Sequence, residues 1–120
     1  MSETDSLFEI EQRDRIGIVR FLDRIELYEA ARIRSQIAEW VDENAPSGLV
    51  FSFADVSYID SSGVGVFVNF QYRMSDRIPI RLCRVSSTVR DVLTYTNLVT
   101  MFKIDETEEQ SLAAIRRELD

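Results

Sequence analysis

The sequence predicts an α/β fold: a mixed, mostly parallel sheet of about five strands, its first strand antiparallel, covered by about four helices. Three observations support that expectation. Apolar runs of strand length alternate along the chain with stretches of helical periodicity, in the order β-β-α-β-α-β-α-β-α. The first two strand segments follow one another without an intervening helix, so they form a hairpin, whereas the later strands need crossover connections. The 120 residues hold neither an internal repeat nor a low-complexity linker, and a chain of that length buries roughly two-thirds of its unfolded surface, enough for one core. Residues 1–120 are therefore expected to form one domain, with 1–6 as a flexible N-terminus.

The elements follow in order. Leu7–Gln12 and Ile16–Leu22 are expected to pair around Arg13-Asp14-Arg15. The second of these strands is apolar at Ile16, Ile18 and Leu22 but also at Val19 and Phe21, so both of its faces should be covered. From Leu27 to Asp42, Leu27, Ala30, Ile33, Ile37, Trp40 and Val41 recur at helical spacing, while Glu29, Arg32, Glu39 and Asp42 turn outward. Pro46-Ser47-Gly48 ends this helix before a buried strand at Leu49–Phe53. A helix at Ser62–Met74, a strand at Ile78–Cys83 and a helix from Ser86-Ser87 to Tyr95 come next. A short strand at Met101–Ile104 and a helix from Thr107 complete the order; Thr107 and Gln110 have capping-box spacing, and Leu112, Ile115 and Leu119 form the apolar stripe.

Charge and rare residues narrow the function classes. The net charge of −7 argues against nucleic acid or an anionic membrane as partner. That charge sits at the ends: residues 1–14 carry five acids and one base, residues 105–120 six acids and two bases, and the remainder sums to +1. Such acidic ends act as solvated, solubilising faces or as docking surfaces. Cys83 is the single cysteine and lies in an apolar run, so no internal disulfide can form. Without an apolar run near 20 residues or a secretory leader, a soluble cytoplasmic protein is expected. The chain has no histidine and its one lysine is Lys103; the usual general base and the commonest metal ligand are both missing, and neither an enzyme nor a cofactor or metal site is expected. No phosphate loop of the G-x-x-x-x-G-K type occurs.

One segment concentrates chemistry. In Tyr58-Ile59-Asp60-Ser61-Ser62-Gly63-Val64-Gly65, two hydroxyls follow an acid and two glycines surround the resumption of an apolar run, which places Asp60 to Ser62 on a strand-to-helix turn. The first N–H groups of a helix have no intrahelical partner and the helix dipole adds positive potential, so such a turn tolerates an anion. Leu22-Asp23-Arg24-Ile25-Glu26, following the second strand, can form a loop beside it.

The run Asp55-Val56-Ser57-Tyr58-Ile59-Asp60-Ser61-Ser62-Gly63-Val64-Gly65 resembles the signature of STAS domains, in particular the anti-sigma-factor antagonists of bacteria. The likeness extends over residues 8 to 118, through the order of elements and the segment Val89-x-x-Val92-Leu93-Thr94-Tyr95-Thr96-Asn97-Leu98. It implies a single STAS-type domain in which Ser61, directly after the aspartate, is phosphorylated by a partner anti-sigma factor that is itself a serine kinase. It further implies a serine phosphatase that resets Ser61. Two positions depart from the family pattern. Where the family often has Gly-Glu after the second strand this chain has Asp23-Arg24, and where the family commonly has Ser-Gly after the third helix it has Thr96-Asn97. Asparagine visits left-handed backbone readily, so a similar helix end is expected.

The resemblance implies a switch in which the unphosphorylated form captures the anti-sigma factor and releases the sigma factor, in stress signalling or a related programme. Partner contacts are then expected from Asp23, Arg24, Glu26, Asp60, Ser61, Ser62, Gly63 and Val64, with Gly63 and Gly65 allowing close approach. Ser61 accepts the phosphate, Ser62 caps the helix or acts as a minor acceptor, and Asp60 orients the acceptor or contacts the kinase. Plainer roles stand beside these: Asp60 or Ser62 as a simple N-cap, the glycines as spacers for helix–sheet packing, and Arg24 and Glu26 as solvent-facing residues. The alternative function is a scaffold subunit of a stress-signalling or lipid-transport assembly that antagonises no anti-sigma factor. A monomer or weak dimer is expected.

Overall fold

In the computed structural model, which describes residues 7–120, the chain runs β1 (Phe8–Arg13), β2 (Ile16–Ile25), α1 (Leu27–Asn44), β3 (Gly48–Ile59), α2 (Ser61–Met74), β4 (Ile80–Cys83), α3 (Ser87–Tyr95), a 3-10 turn at Val99–Met101, β5 (Ile104–Asp105) and α4 (Glu108–Leu119). The expected flexible segment 1–6 lies outside the described residues. The five strands form one sheet in the order β1-β2-β3-β4-β5, with β1 antiparallel to β2 and every later pair parallel. The β1–β2 turn places Asp14 and Arg15 in the left-handed region, at φ 52° and 68°.

Strand alternation divides the core into two layers. Val19 and Phe21 of β2 and Leu49, Phe51 and Phe53 of β3 join Ile33 and Ile37 of α1, Phe67 and Phe70 of α2 and Val89 and Leu93 of α3 in one continuous cluster. The opposite face carries Ile16, Ile18, Val50 and Cys83, which α4 covers with Leu112 and Ile115. Phe21 is the aromatic hub, packed against Phe8, Phe51, Phe53 and Phe67, and Phe67 stands edge-on to three rings, with centroids 5.0 Å from Phe21, 5.4 Å from Phe51 and 5.0 Å from Phe53. Such edge-to-face pairs add about 0.5–1.5 kcal/mol each beyond area burial. The smaller α4 layer is pinned by ions as well as by apolar contact. Arg20 donates to Glu108 at 2.7 Å and to Glu11 at 2.8 Å, Arg81 donates to Asp105 at 2.6 Å, and the buried Ser111 hydroxyl donates to Asp105 at 2.7 Å.

Several expected boundaries move. The β2 and β3 strands are longer than their apolar runs, because Leu22–Ile25 pairs with Asp55–Ile59 across two irregularities in register. In that stretch Val56 and Ile59 are buried while Asp55, Ser57 and Tyr58 face solvent, a half-exposed pattern that an unbroken apolar run does not show. The expected strand from Ile78 begins at Ile80 instead: Pro79 has no N–H to add to the ladder, although its carbonyl accepts from Leu49 N at 2.9 Å. The expected strand at Met101–Ile104 is a 3-10 turn followed by the two-residue β5. Leu27, expected to face the core, is 72% exposed at the first turn of α1, where no preceding turn holds it down. Leu119, at the end of α4, is likewise half exposed. Asn97 does adopt the left-handed conformation, φ 62°, and the chain reverses there with Leu98 N donating to Leu93 O at 2.8 Å, closing α3.

Candidate functional site

The β3 strand ends at Ile59, and Asp60, in extended conformation, is the N-cap of α2. Its Oδ1 accepts from Gly63 N at 3.0 Å, its carbonyl accepts the first helical bond from Val64 N at 3.0 Å, and its own N–H donates to Ile25 O at 3.2 Å. The turn is thus tied at once to its own helix and to the neighbouring strand. Ser61 is the first helical residue, one position earlier than expected, and it is exposed. With Asp60 occupying the Gly63 N–H, helix geometry leaves the N–H groups of Ser61 and Ser62 without intrahelical acceptors beside the Ser61 hydroxyl. Among the described residues that hydroxyl has no hydrogen-bond partner and no histidine to activate it. A phosphoryl group on Ser61 would find helix N–H groups and the positive end of the dipole at hand, with Asp60 as the adjacent repulsive charge.

The parallel pairing of β2 and β3 brings the second expected segment to the same end of the sheet, with Arg24 opposite Tyr58 and Ile25 opposite Ile59. Residues Asp23 to Glu26 are therefore strand and helix cap, where a loop was expected. Arg24 lies over the Tyr58 ring, 4.8 Å from its centroid, and donates to the Glu26 carboxylate at 2.5 Å. Glu26 is in turn the N-cap of α1, where its N–H donates to Glu29 Oε1 at 3.1 Å. Asp23 occupies the bulge with φ 60°, a backbone state that favours glycine, and its carboxylate accepts from Ser57 at 3.4 Å.

Two expected contacts move inside. Val64 is 2% exposed and belongs to the core, so it offers a partner no surface. Gly63 is buried too, and a Cβ there would lie 2.5 Å from Ile25 O and 2.7 Å from Ile59 Cγ1, so its small size serves helix–sheet contact. Gly65, by contrast, faces open space. Ser62 does not cap α2, since Asp60 does; it is half-buried and lines a groove of about 310 Å³ with Leu27, Ala30 and Arg34 of α1. Tyr58 and Leu27 are exposed at the end of β3 and the start of α1, a placement that their chain neighbours Ile59 and Tyr28 do not signal. Among the described residues no three His, Cys, Asp or Glu side chains gather as a metal site. The Cys83 thiol is fully buried, and burial pushes it up to about 11, so it is chemically quiet.

The model of one protein family matches residues 8–111: the STAS domain. The chain belongs to the STAS domain family. Solved STAS structures share its fold. An anti-sigma factor antagonist from Mycobacterium paratuberculosis matches with a TM-score of 0.84 and 20% identity over 97% of this chain and 99% of that one. The anti-sigma factor antagonist SpoIIAA in its unphosphorylated form gives a TM-score of 0.75 at 24% identity, covering 91% of this chain and 96% of that one. The phosphorylated form of SpoIIAA, a Bacillus cell fate determinant, gives 0.69 at 23% identity, covering 90% and 98%. At these identities the likeness establishes the fold. No helix among the described residues is long and apolar enough to cross a membrane.

Proposed function

We propose that this STAS domain is an anti-sigma factor antagonist whose Ser61 face binds a serine-kinase anti-sigma factor, and that phosphorylation of Ser61 by that kinase switches the binding off. The observation that carries the proposal is the solvent-facing Ser61 hydroxyl at the first position of α2, on a turn that Asp60 and Ile25 hold rigidly. A rigid, neutral alcohol at the rim of a sheet is a surface another protein can cover. A phosphate there carries about −1.5 to −2 charge at neutral pH, next to the Asp60 carboxylate. Closing a partner over it strips water from the dianion, and a penalty of about 4 kcal/mol lowers affinity roughly a thousandfold. The helix N-terminus stabilises the phosphate on the free protein by about 1 kcal/mol, and because a phosphate monoester hydrolyses extremely slowly without a catalyst, the modified form persists until a serine phosphatase removes it. Exposed Arg24, Asp23 and Tyr58, with half-buried Glu26, form the rim such a partner would meet, in place of the buried Gly63 and Val64.

The test uses the kinase-type anti-sigma factor encoded nearest to this gene. Incubation with that protein and ATP should place one phosphate on Ser61 by peptide mapping, and Ser61→Ala should lose the label while still binding. By calorimetry Ser61→Asp should bind at least tenfold more weakly, the minimum for a charge-driven switch of this kind. Label found only on other residues removes Ser61 as the acceptor, and equal affinity of Ser61→Asp and wild type removes the electrostatic switch. A long-lived complex that never exchanges with the free pool after phosphorylation would mark a scaffold instead.

A further inference from the structure

A second surface lies along the outer side of α1 and α2, beyond the Ser61 turn. The two helices run side by side in the same direction, so that Ala30 and Gly65 line one end of the valley between them and Val41 and Met74 the other. Between them the groove that begins at Ser62 continues past Arg34 into a larger depression of about 560 Å³. The floor is made by half-buried Ala38 and the nearly buried Val41, Phe70 and Met74, Ser35 and Asn69 add polar atoms, and the rim carries three exposed guanidinium groups, Arg34, Arg73 and Arg77. Among the described residues none of the three makes an ion pair, which leaves their guanidinium groups free of a carboxylate partner. Asp42 is the acid in that lining. A cationic, apolar-floored trough is unexpected on a protein with net charge −7.

We propose that this trough is a docking site for an acidic amphipathic helix of another protein. Two parallel helices present a valley between their ridges into which a third helix packs, with apolar side chains at i, i+3, i+4 and i+7 against the floor. The stretch from Leu27 to Asp42 at 1.5 Å per residue is roughly 23 Å long, the length of a helix of about 15 residues. Carboxylates flanking that apolar stripe meet Arg34 on one wall and Arg73 and Arg77 on the other. Guanidinium groups suit this role because each can grip a carboxylate with two parallel N–H bonds. An anionic membrane is a poorer occupant: the trough is concave, and the −7 charge opposes approach to a negative surface. Its near end reaches Ser62, and its larger part, from Arg34 to Arg77, lies beyond the Ser61 turn.

A displayed library of 15-residue helices, randomised at every exposed position and selected on the intact protein, tests this directly. The expected outcome is enrichment of helices with Glu or Asp flanking a Leu- or Met-rich stripe, whose binding weakens at least roughly tenfold in the Arg73→Glu/Arg77→Glu double variant and falls as salt rises. Both arginines are exposed, so the double variant should melt within a few degrees of wild type. Enriched helices that lack acids, enrichment of none, or binders indifferent to the double reversal would overturn the proposal. So would a wild-type dimer in sedimentation that the double variant abolishes, which assigns the trough to a second copy, or arginine-dependent flotation with phosphatidylserine vesicles, which assigns it to membrane.

Discussion

The two glycines of the signature should respond to the same substitution with opposite signs. A methyl group at Gly63 would sit 2.5 Å from Ile25 O, 2.7 Å from Ile59 Cγ1 and 2.8 Å from Ile25 Cγ2, and the first of these is backbone that cannot rotate away. The N-terminus of α2 must then retreat from β2 by several tenths of an ångström, and overpacking of that kind costs about 1–3 kcal/mol. The same movement stretches the 3.0 Å bond from Gly63 N to Asp60 Oδ1, a cap contact worth about 1 kcal/mol. Replacing a helical glycine by alanine returns about 0.8–1 kcal/mol, which leaves Gly63→Ala about 2 kcal/mol less stable than wild type. At Gly65, a methyl group meets nothing within 4 Å. There the helix preference acts alone, and Gly65→Ala should be about 0.8 kcal/mol more stable. With about 2.1 cal/mol/K of unfolding entropy per residue over 120 residues, these become a Tm lowered by about 8 °C and one raised by about 3 °C. Thermal and urea unfolding followed by circular dichroism read both. A Gly63→Ala protein as stable as wild type, or a Gly65→Ala protein destabilised like it, would refute the assignment of packing to one glycine and open surface to the other.

Three further outcomes follow from the same geometry. Asp60→Ala should cost about 1 kcal/mol in urea unfolding and speed hydrogen exchange at the Gly63 amide, while Asp60→Asn keeps most of the cap; an unchanged Gly63 exchange rate in the alanine variant would remove the cap bond. Asp23→Gly should raise stability by roughly 0.5–1 kcal/mol, since glycine adopts positive φ without the Cβ penalty, and a lower Tm would contradict the bulge conformation. Acid should loosen α4 first. Burial works to raise the Asp105 carboxyl, but Arg81 and Ser111 outweigh it and hold it below its ordinary 3.8; the Arg20 guanidinium holds Glu108 below its ordinary 4.5. Folded-state values that lie below the unfolded ones mean that the stabilisation is present above the ordinary carboxylate range and is lost as pH falls through the lowered values. Exchange protection in α4 should therefore decline below about pH 4 before that of β2 and β3, and Asp105→Asn should flatten the acid limb; simultaneous loss everywhere would show that these pairs do not govern the helix.

Much of the site was legible because its signals are local. An acid, two hydroxyls and a glycine between two apolar runs need only chain chemistry to form a capped strand-to-helix turn, and Asp60, Ser61 and Gly63 take those positions. The capping box of Thr107 and Gln110 and the left-handed Asn97 were readable for the same reason. What stayed hidden depends on neighbours. Arg24 and Glu26 looked like loop residues because Leu22-Asp23-Arg24-Ile25-Glu26 alternates poorly, and only pairing with the bulged end of β3 makes a strand of it. Val64 and Gly65 are adjacent in the signature, yet one is 2% exposed and the other open, a difference set by which side of α2 meets the sheet.

By itself, the sequence determined the alternation of elements, the antiparallel first strand, the family and the turn that presents Ser61, since periodicity, breakers and caps act over a few residues. Only the tertiary structure decided which glycine is spacing and which is surface, that Arg24 stacks on Tyr58, and that Arg34, Arg73 and Arg77 converge. Those facts arise where parallel strands and parallel helices set residues 34 to 43 positions apart side by side, and no local pattern encodes the distance between them.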